Sequence, residues 1–303
     1  MTVVLKNVSK YYGSQKALNN ASFEISQGEI VALLGPNGAG KSTMMKIITC
    51  YIPQSEGDVW VYGNNVAVDS LKVRQITGYL SENNPLYTDM YVREYLEFVA
   101  GLHHLENKSK KVKEMIDVTG LQSEHHKKIG ALSKGYRQRV GIAQALIHDP
   151  KILILDEPTS GLDPNQLVEI RNLILEIGKK KTILLSTHIM QEVEAVCDRV
   201  IILNHGNIMA DSPTSELQLL GASSRIIHAE FEQQHMWEEL TKIDGVLEVK
   251  HKDGNKVKIF TNANKDVRRE IFHFAVQNHW VILSMGYEDQ RIEDVFRQLT
   301  KES

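Results

Sequence analysis

A glycine-rich loop carries the clearest chemical signal in this sequence. It follows the apolar run Ile30–Leu34, which is typical of a buried strand, and it precedes Met44–Ile48, which can continue as a helix. The spacing is the G-x-x-x-x-G-K-[ST] pattern, in which glycines let backbone amides approach phosphate oxygens and the new helix adds its positive dipole end. We therefore predict a phosphate site formed by Gly35, Pro36, Asn37, Gly38, Ala39, Gly40, Lys41, Ser42 and Thr43.

Two pairs of side chains have separate predicted tasks at this site. Lys41 would neutralise the β- and γ-phosphates of a nucleotide, and the hydroxyl of Ser42 would hold Mg²⁺. Asp156 and Glu157 follow the apolar run Ile152–Leu155, which suits a central parallel strand. Because adjacent strand residues point to opposite faces, we predict that Asp156 binds Mg²⁺ and that Glu157 polarises the attacking water. The alternative is a pair of exposed carboxylates at a strand end.

Three further positions are weaker candidates when each is considered alone. Tyr12 precedes a predicted turn, where an exposed ring can stack on a base, or it is a half-buried strand residue. Ser133, with Gly135 two residues later, is a good helix N-cap and a second candidate anion site, although most N-cap serines only cap. His188 follows the apolar run Thr182–Thr187, and a neutral imidazole there either hydrogen-bonds a γ-phosphate or is structural.

The predicted elements divide the chain into two domains. Residues 1–220 contain a mixed β region and alternating strands and helices, with a helical insertion at about 83–148. Within this domain, Asp163 is predicted to cap a helix that begins with Pro164. Residues 221–303 follow the order strand, helix, strand, strand, helix, strand, which is the ferredoxin-like pattern, and then a helix at 292–299. This second domain shows no chemical constellation, so we interpret it as regulatory or as an assembly surface.

Composition excludes several classes of protein. The chain has 303 residues and a formal net charge of −3, which gives no reason to expect nucleic acid as the main partner. Cys50 and Cys197 fit no zinc or redox spacing and suit a reducing cytoplasm. No apolar run approaches ~18 residues, and the first residues lack the pattern of a signal peptide. Any role at a membrane is therefore expected to act through a partner.

Taken in order, the motifs resemble those of the nucleotide-binding subunits of ABC transporters, from residue 2 to about residue 218. They are the phosphate loop, Leu132–Gly135, Ile152–Glu157, Ser160–Asp163 and Ser186–His188. The segment Ile292–Phe296 and its domain are similar to an extension found on ATPases of ABC-2-type exporters. Residues 132–140 and 161–166 look closest to the gliding-motility-associated ATPase of Bacteroidetes.

The resemblance implies a fold and a set of roles. The fold is a P-loop NTPase cassette with a mixed β subdomain, a RecA-like core and a helical subdomain, followed by the α+β ferredoxin-like domain. The implied activity is hydrolysis of ATP with Mg²⁺, in which Lys41, Glu157 and His188 are catalytic. Tyr12 would stack on adenine, and Asp163 is counted among the nucleotide-binding residues.

Partners and location are also implied by the resemblance. Two chains would enclose two ATP molecules, with Ser133 and Gly135 of one chain acting on the ATP of the other. The pair is expected to be a homodimer. The helical insertion would dock on a separate integral-membrane permease, so the chain would lie on the cytoplasmic face of the membrane. The ABC-2 resemblance favours export.

Two parts of the sequence depart from the family pattern: Glu82, and the signature positions Lys134 and Tyr136, where glycine and glutamine are common. Glu82 lies where many relatives have the glutamine of the Q-loop. A carboxylate close to a triphosphate repels it unless Mg²⁺ intervenes. We therefore count Glu82 among both the nucleotide contacts and the metal ligands, and we predict that nucleotide affinity depends strongly on Mg²⁺.

Two other functions stand as alternatives. One is a soluble ABC-type ATPase that acts on ribosomes or nucleic acid, although such proteins usually carry two cassettes, a long coiled coil or zinc modules. The other is a nucleotide sensor without catalysis, with the C-terminal domain as its output. The presence of both Glu157 and His188 argues against the sensor.

Overall fold

Three β-sheets contain the strands of the described residues. The computed structural model describes residues 1–216, 224–234, 236–262, 265–287 and 296. Met1–Thr214 and Ser215–Ser303 form two compact units. The boundary predicted from the sequence was near residue 220. Most of the predicted linker and of the predicted helix at 292–299 lies outside the described residues.

The central sheet of the first unit has the strand order β10-β9-β3-β8-β7-β6, in which β10 is antiparallel to its neighbour and the other pairs are parallel. Its strands are β3 (Ile30–Leu34), β6 (Thr77–Leu80), β7 (Ile152–Asp156), β8 (Thr182–Thr187), β9 (Arg199–Asn204) and β10 (Asn207–Pro213). Every residue of β3, β7 and β8 is buried. This agrees with their continuous apolar runs, which predict strands covered on both faces.

An antiparallel sheet with the order β2-β1-β4-β5 is the second sheet of this unit. Its strands are β1 (Val3–Tyr12), β2 (Gln15–Ile25), β4 (Glu56–Val61) and β5 (Asn64–Asn65). Helix α1 (Lys41–Ile48) buries Met44, Met45, Ile47 and Ile48 in a core that includes residues of both sheets. Because α1 begins at the phosphate loop, this packing fixes the loop relative to both sheets.

The remaining helices of the first unit include the predicted helical insertion. That insertion contains α3 (Val92–Leu102), α4 (Lys108–Val118), a 3-10 turn (Ile129–Ala131) and α5 (Lys134–Leu146). The others are α2 (Ser70–Ile76), α6 (Pro164–Gly178) and α7 (Met190–Val196). Helices α2 and α7 and strand β6 were not predicted from the sequence. In the part of the chain that the structure describes, no helix is long and apolar enough to cross a membrane.

The second unit has an antiparallel sheet in the order β12-β13-β11-β14. Its elements are β11 (Ser224–Phe231), a 3-10 helix (Trp237–Lys242), β12 (Val246–Asp253), β13 (Lys256–Asn262), α8 (Arg268–Gln277) and β14 (Ile282–Tyr287). With its first helix replaced by the 3-10 helix, this is the strand order and connectivity of the ferredoxin-like pattern. Phe231 packs against Trp237 and Trp280 in its core, with ring centroids 5.2 and 5.8 Å away.

A stacked pair of histidines joins the end of α3 to the central sheet. The rings of His103 and His148 lie 4.1 Å apart with an interplanar angle of 3°. His148 Nε2 lies 3.2 Å from the carbonyl oxygen of Thr77. Because a carbonyl oxygen only accepts, Nε2 carries the ring hydrogen and donates the hydrogen bond. Burial, with smaller contributions from His103 and Lys181, lowers the pKa of His148 to about 4, while Thr77 and Asp149 act in the opposite direction.

We expect protonation of His148 to destabilise the first unit. The pKa of this ring is about 6.5 in the unfolded chain and about 4 in the folded protein. Between these pH values the unfolded chain therefore binds more protons than the folded protein. The free energy of unfolding consequently falls as the pH drops from about 6.5 to about 4. Among the described residues His148 Nδ1 has no hydrogen-bond partner, so the added proton gains no acceptor. Denaturant unfolding at about pH 7 and about pH 5 measures this loss. His148→Gln should reduce it and His126→Gln, at an exposed position, should not; equal losses in all three proteins would contradict the prediction.

Candidate functional site

The site forms where neighbouring parallel strands end at the same edge of the central sheet. Strand β8 lies between β3 and β7, with Leu34 paired to Thr187 and Asp156 paired to Ser186. Ligands of open α/β sheets bind outside the carboxyl ends of the strands. The pairing therefore brings together three segments that are far apart in sequence: the phosphate loop, Asp156–Glu157 and His188.

The glycines of the phosphate loop meet conformational and steric demands. Gly38 and Gly40 have φ values of +81° and +108°, in the left-handed region that favours glycine. A Cβ at Gly40 would also lie 2.6 Å from the carbonyl oxygen of Ala17. Helix α1 begins at the next residue, Lys41, so its unpaired amides face the loop. The predicted strand–loop–helix arrangement is present.

Lys41 is buried at the centre of the site. Its ammonium group donates to the carbonyl oxygens of Gly35 and Pro36, at 2.7 and 3.3 Å. Its Nζ also lies 3.6 Å from Glu157 Oε1. The ammonium group of Lys41 thus points into the loop. The oxygens of a bound phosphate would replace its present contacts.

The predicted Mg²⁺ ligands Ser42 and Asp156 are in contact. Ser42 Oγ donates to Asp156 Oδ1 at 3.2 Å, and Ser186 Oγ donates to the same oxygen at 2.6 Å. Protein Mg²⁺ sites usually supply one or two carboxylates and leave the remaining positions to water and phosphate. A hydroxyl beside one carboxylate fits this ion, although the described residues contain no larger cluster of metal-ligating side chains.

Glu157 has partners that differ from those of Asp156. Its Oε2 lies 2.9 Å from His188 Nδ1, and its backbone N–H donates to Ser186 Oγ at 2.9 Å. The predicted reason for this difference, alternation along a strand, is wrong because β7 ends at Asp156. Glu157 instead has a φ of +50°, a left-handed conformation that costs about 1–3 kcal/mol in a non-glycine residue.

A cavity of about 510 Å³ brings most of the predicted residues together. Tyr12 and Glu82, both exposed, lie at this cavity with the phosphate loop, Glu157 and His188. Three lining residues, Gln15, Ala17 and Ser160, were not among the predicted site residues. The whole lining is Tyr12, Gln15, Ala17, Pro36, Asn37, Gly38, Ala39, Gly40, Lys41, Ser42, Thr43, Glu82, Glu157, Ser160 and His188.

Ser133, Gly135 and Asp163 are not part of that lining in the described chain. Ser133 Oγ accepts the backbone N–H of Tyr136 at 3.4 Å and caps α5, as predicted. Asp163 caps α6 by accepting two backbone N–H groups, also as predicted. The two caps are neighbours, because Gln166 Nε2 lies 3.5 Å from Ser133 Oγ.

The part played by Ser186 was not predicted from the sequence. This residue contacts both predicted carboxylate positions, by donating to Asp156 and by accepting from the amide of Glu157. A serine at the end of an apolar strand, two residues before a candidate histidine, was the available signal. Sequence alone did not reveal which strands are neighbours.

Comparison with known sequences identifies the family. The pattern of the ABC transporter family matches residues 18–160. An uncharacterized ABC transporter ATP-binding protein of Bacillus subtilis, YdbJ, is 33% identical over 98% of this chain and 94% of its own length. The chain belongs to the ABC transporter ATP-binding protein family.

Two other relatives of this ABC protein have names that state a transported or resisted compound. The bacitracin transport ATP-binding protein BcrA of Bacillus licheniformis is 29% identical, over 99% of this chain and 98% of its own. The linearmycin resistance ATP-binding protein LnrL of Bacillus subtilis is 31% identical, over 97% of each chain.

Solved structures share the cassette fold. The ATP-binding cassette MJ0796, a dimer in a post-hydrolysis state bound to ADP and Pi, superposes with a TM-score of 0.65 at 28% identity, covering 70% of this chain and 98% of its own. This chain is therefore the ATP-binding subunit of an ABC transporter. It is an ATPase, and its hydrolysis of ATP is coupled to transport.

We expect Glu82→Gln to reduce the dependence of ATP affinity on Mg²⁺. Two unit charges roughly 4 Å apart in water repel by about 1 kcal/mol, so removing this carboxylate should strengthen metal-free binding about fivefold. Titration of a fluorescent ATP analogue with Mg²⁺ and with a chelator measures the ratio of the two Kd values. Glu114→Gln, in the exposed part of α4, is the matched control. The same ratio in Glu82→Gln and wild type would refute the role of Glu82.

Proposed function

We propose that this ATPase drives a separate integral-membrane subunit and powers export. Support comes from the relatives BcrA and LnrL, which align over nearly the whole chain, including the second unit. The observation that carries the proposal is this end-to-end alignment together with the assembled hydrolysis site. An assignment to ABC-2-type exporters, and within them to gliding motility, rests on the sequence motifs alone and stays a prediction.

In the proposed reaction, Glu157 accepts a proton from water as the water oxygen attacks the γ-phosphorus of ATP. The bond from that phosphorus to the β,γ-bridging oxygen breaks, and ADP leaves with this oxygen. His188 lies 2.9 Å from this carboxylate and orients it. The γ-phosphate of a bound ATP would be the second hydrogen-bond partner of the imidazole. Lys41 and the amides of the phosphate loop neutralise and align the phosphates. Mg²⁺, held by Ser42 and Asp156, would withdraw charge from the phosphate oxygens.

We propose that two copies of the chain complete each other's sites. Ser133, Gly135 and Asp163 do not line the cavity of their own chain in the described residues, so their nucleotide contacts require a partner. Two of the similar cassette structures are dimers. A homodimer is the simplest assembly that supplies these residues to both nucleotides.

The helical insertion supports docking on a membrane subunit. Tyr87, Phe98 and Leu102 are 59%, 41% and 63% exposed, and the first two rings lie 5.8 Å apart. Exposed apolar groups that are close together are typical of protein interfaces. We propose that this apolar patch, Tyr87, Phe98 and Leu102, contacts the permease and places the chain on the cytoplasmic face of the membrane.

We expect Glu157→Gln to bind ATP but to hydrolyse it about 10²–10⁴ times more slowly, because loss of a general base has a cost of this size. The ATP-bound dimer should then persist. Phosphate release measures kcat, and size-exclusion chromatography with ATP measures the dimer. Glu169→Gln, on the exposed side of α6, controls for the loss of a carboxylate. Undiminished turnover in Glu157→Gln would remove the proposed role.

Substitutions in the apolar patch should prevent the chain from binding its membrane partner. We expect Tyr87→Ala with Phe98→Ala to abolish recovery of a multi-span membrane protein from detergent-solubilised native membranes, while ATP affinity is unchanged. Tyr51→Ala, at a 74% exposed position outside the helical insertion, is the control. Recovery of ribosomes or nucleic-acid-binding proteins, without a membrane protein, would instead favour the alternative of a soluble ABC-type ATPase.

A further inference from the structure

A buried carboxylate on α7 lies behind the site. Glu192 is only 3% exposed, in the first turn of a short helix that the sequence analysis did not predict. Its Oε2 accepts a hydrogen bond from Thr187 Oγ1 at 2.6 Å, and its Oε1 accepts one from Thr159 Oγ1. Both hydroxyls are themselves buried, at 0% and 4% exposure. The carboxylate therefore makes its contacts away from solvent.

The two hydroxyls belong to the two segments that carry the proposed catalytic groups. Thr159 follows Glu157 by two residues, and Thr187 directly precedes His188. Glu157 Oε2 and His188 Nδ1 then meet 2.9 Å apart on the cavity side. Covalent bonds and hydrogen bonds thus form a closed ring through Glu157, Thr159, Glu192, Thr187 and His188. In this ring Glu192 fixes the separation of the two segments at one side, and the reactive pair meets at the other.

Thr187 has a second contact that extends this constraint to the backbone. Its Oγ1 accepts the N–H of Ile189 at 3.0 Å while its own proton goes to Glu192. The residues on both sides of His188 are therefore tied to one hydroxyl. This matters because the conformation of Glu157, with φ at +50°, is one that persists only when its surroundings determine it.

Packing alone does not account for a carboxylate at this position. A buried carboxylate loses its hydration, and an apolar side chain of similar volume would fill the space without that loss. What the carboxylate adds is two acceptors on one rigid group, each directed at a different segment. Charge-assisted hydrogen bonds are also stronger and geometrically narrower than those between neutral groups.

We propose that Glu192 is a positioning residue for ATP hydrolysis, which sets the distance between Glu157 and His188 through Thr159 and Thr187. This proposal rests on the catalytic roles proposed above for Glu157 and His188. It assigns to Glu192 no contact with nucleotide. Loss of the Glu192 carboxylate should therefore lower kcat and leave ATP affinity unchanged.

Steady-state ATP hydrolysis by the full-length chain tests this. A displacement of catalytic groups by about 1 Å costs about 10²-fold, so Glu192→Ala should lower kcat between about tenfold and about 10²-fold, with the Kd of a fluorescent ATP analogue unchanged. Glu194→Gln, at an exposed position on the same helix, should match the wild type. Equal kcat in Glu192→Ala and wild type would overturn the proposal, and so would a loss explained entirely by weaker ATP binding.

Variants of the two threonines keep the test valid if Glu192→Ala does not fold. Thr187→Val and Thr159→Val remove the hydroxyls at nearly constant volume and should each lower kcat. Thr187→Ser and Thr159→Ser keep the hydroxyls and should restore it. A role in packing alone predicts the reverse, because valine preserves the shape that serine loses. Thermal unfolding of each variant checks that the fold is intact.

A double-mutant cycle separates this proposal from the proposed function. If Glu192 acts through Glu157, its substitution in the Glu157→Gln background should lower the remaining activity less than about twofold, since effects of residues that act as a unit are not additive. Full additivity would overturn the positioning role while leaving the role of Glu157 in place. If Glu157→Gln itself retained wild-type turnover, the proposed function would fail first.

Discussion

The parallel pairing of β3, β8 and β7 is the constraint on which the rest of the site depends. The register that pairs Leu34 with Thr187 and Asp156 with Ser186 makes all three strands end at the same edge. Every residue of these strands is buried, so a slip in register would exchange side chains between two packed faces and lose the close fit of the apolar core. The energy that fixes the register is thus hydrophobic, and the positions of the polar groups at the edge follow from it.

Hydrogen bonds then determine what each polar group at that edge can do. Ser186 contacts both carboxylate positions, by donating to Asp156 Oδ1 and by accepting the amide of Glu157. The amide contact supports a backbone conformation that costs free energy, and that conformation directs Glu157 towards His188 and Lys41. One hydroxyl therefore contacts both Asp156, the proposed Mg²⁺ ligand, and the backbone of Glu157, the proposed general base.

The sequence predicted the features that local pattern encodes. The phosphate loop, the buried strands and the caps at Ser133 and Asp163 each depend on residues close together in the chain. Helix α7 was missed because it is only seven residues long. The parts of Ser186 and Glu192 were missed for a different reason, since their partners Asp156, Glu157 and Thr159 lie about 30 residues away and become neighbours only after β7 and β8 pair.

The distribution of buried polar groups separates the two units in physical terms. In the first unit, Lys41, Glu157 and Glu192 are almost fully buried, an arrangement that is costly unless every group has a partner. Lys41 lies beside Glu157, and Glu192 accepts hydrogen bonds from Thr159 and Thr187. In the described part of the second unit, Thr261 is the only buried polar residue, and the core is otherwise apolar. A core of that kind stabilises a fold without arranging reactive groups. The buried, hydrogen-bonded polar groups of the proposed hydrolysis site therefore lie in the first unit.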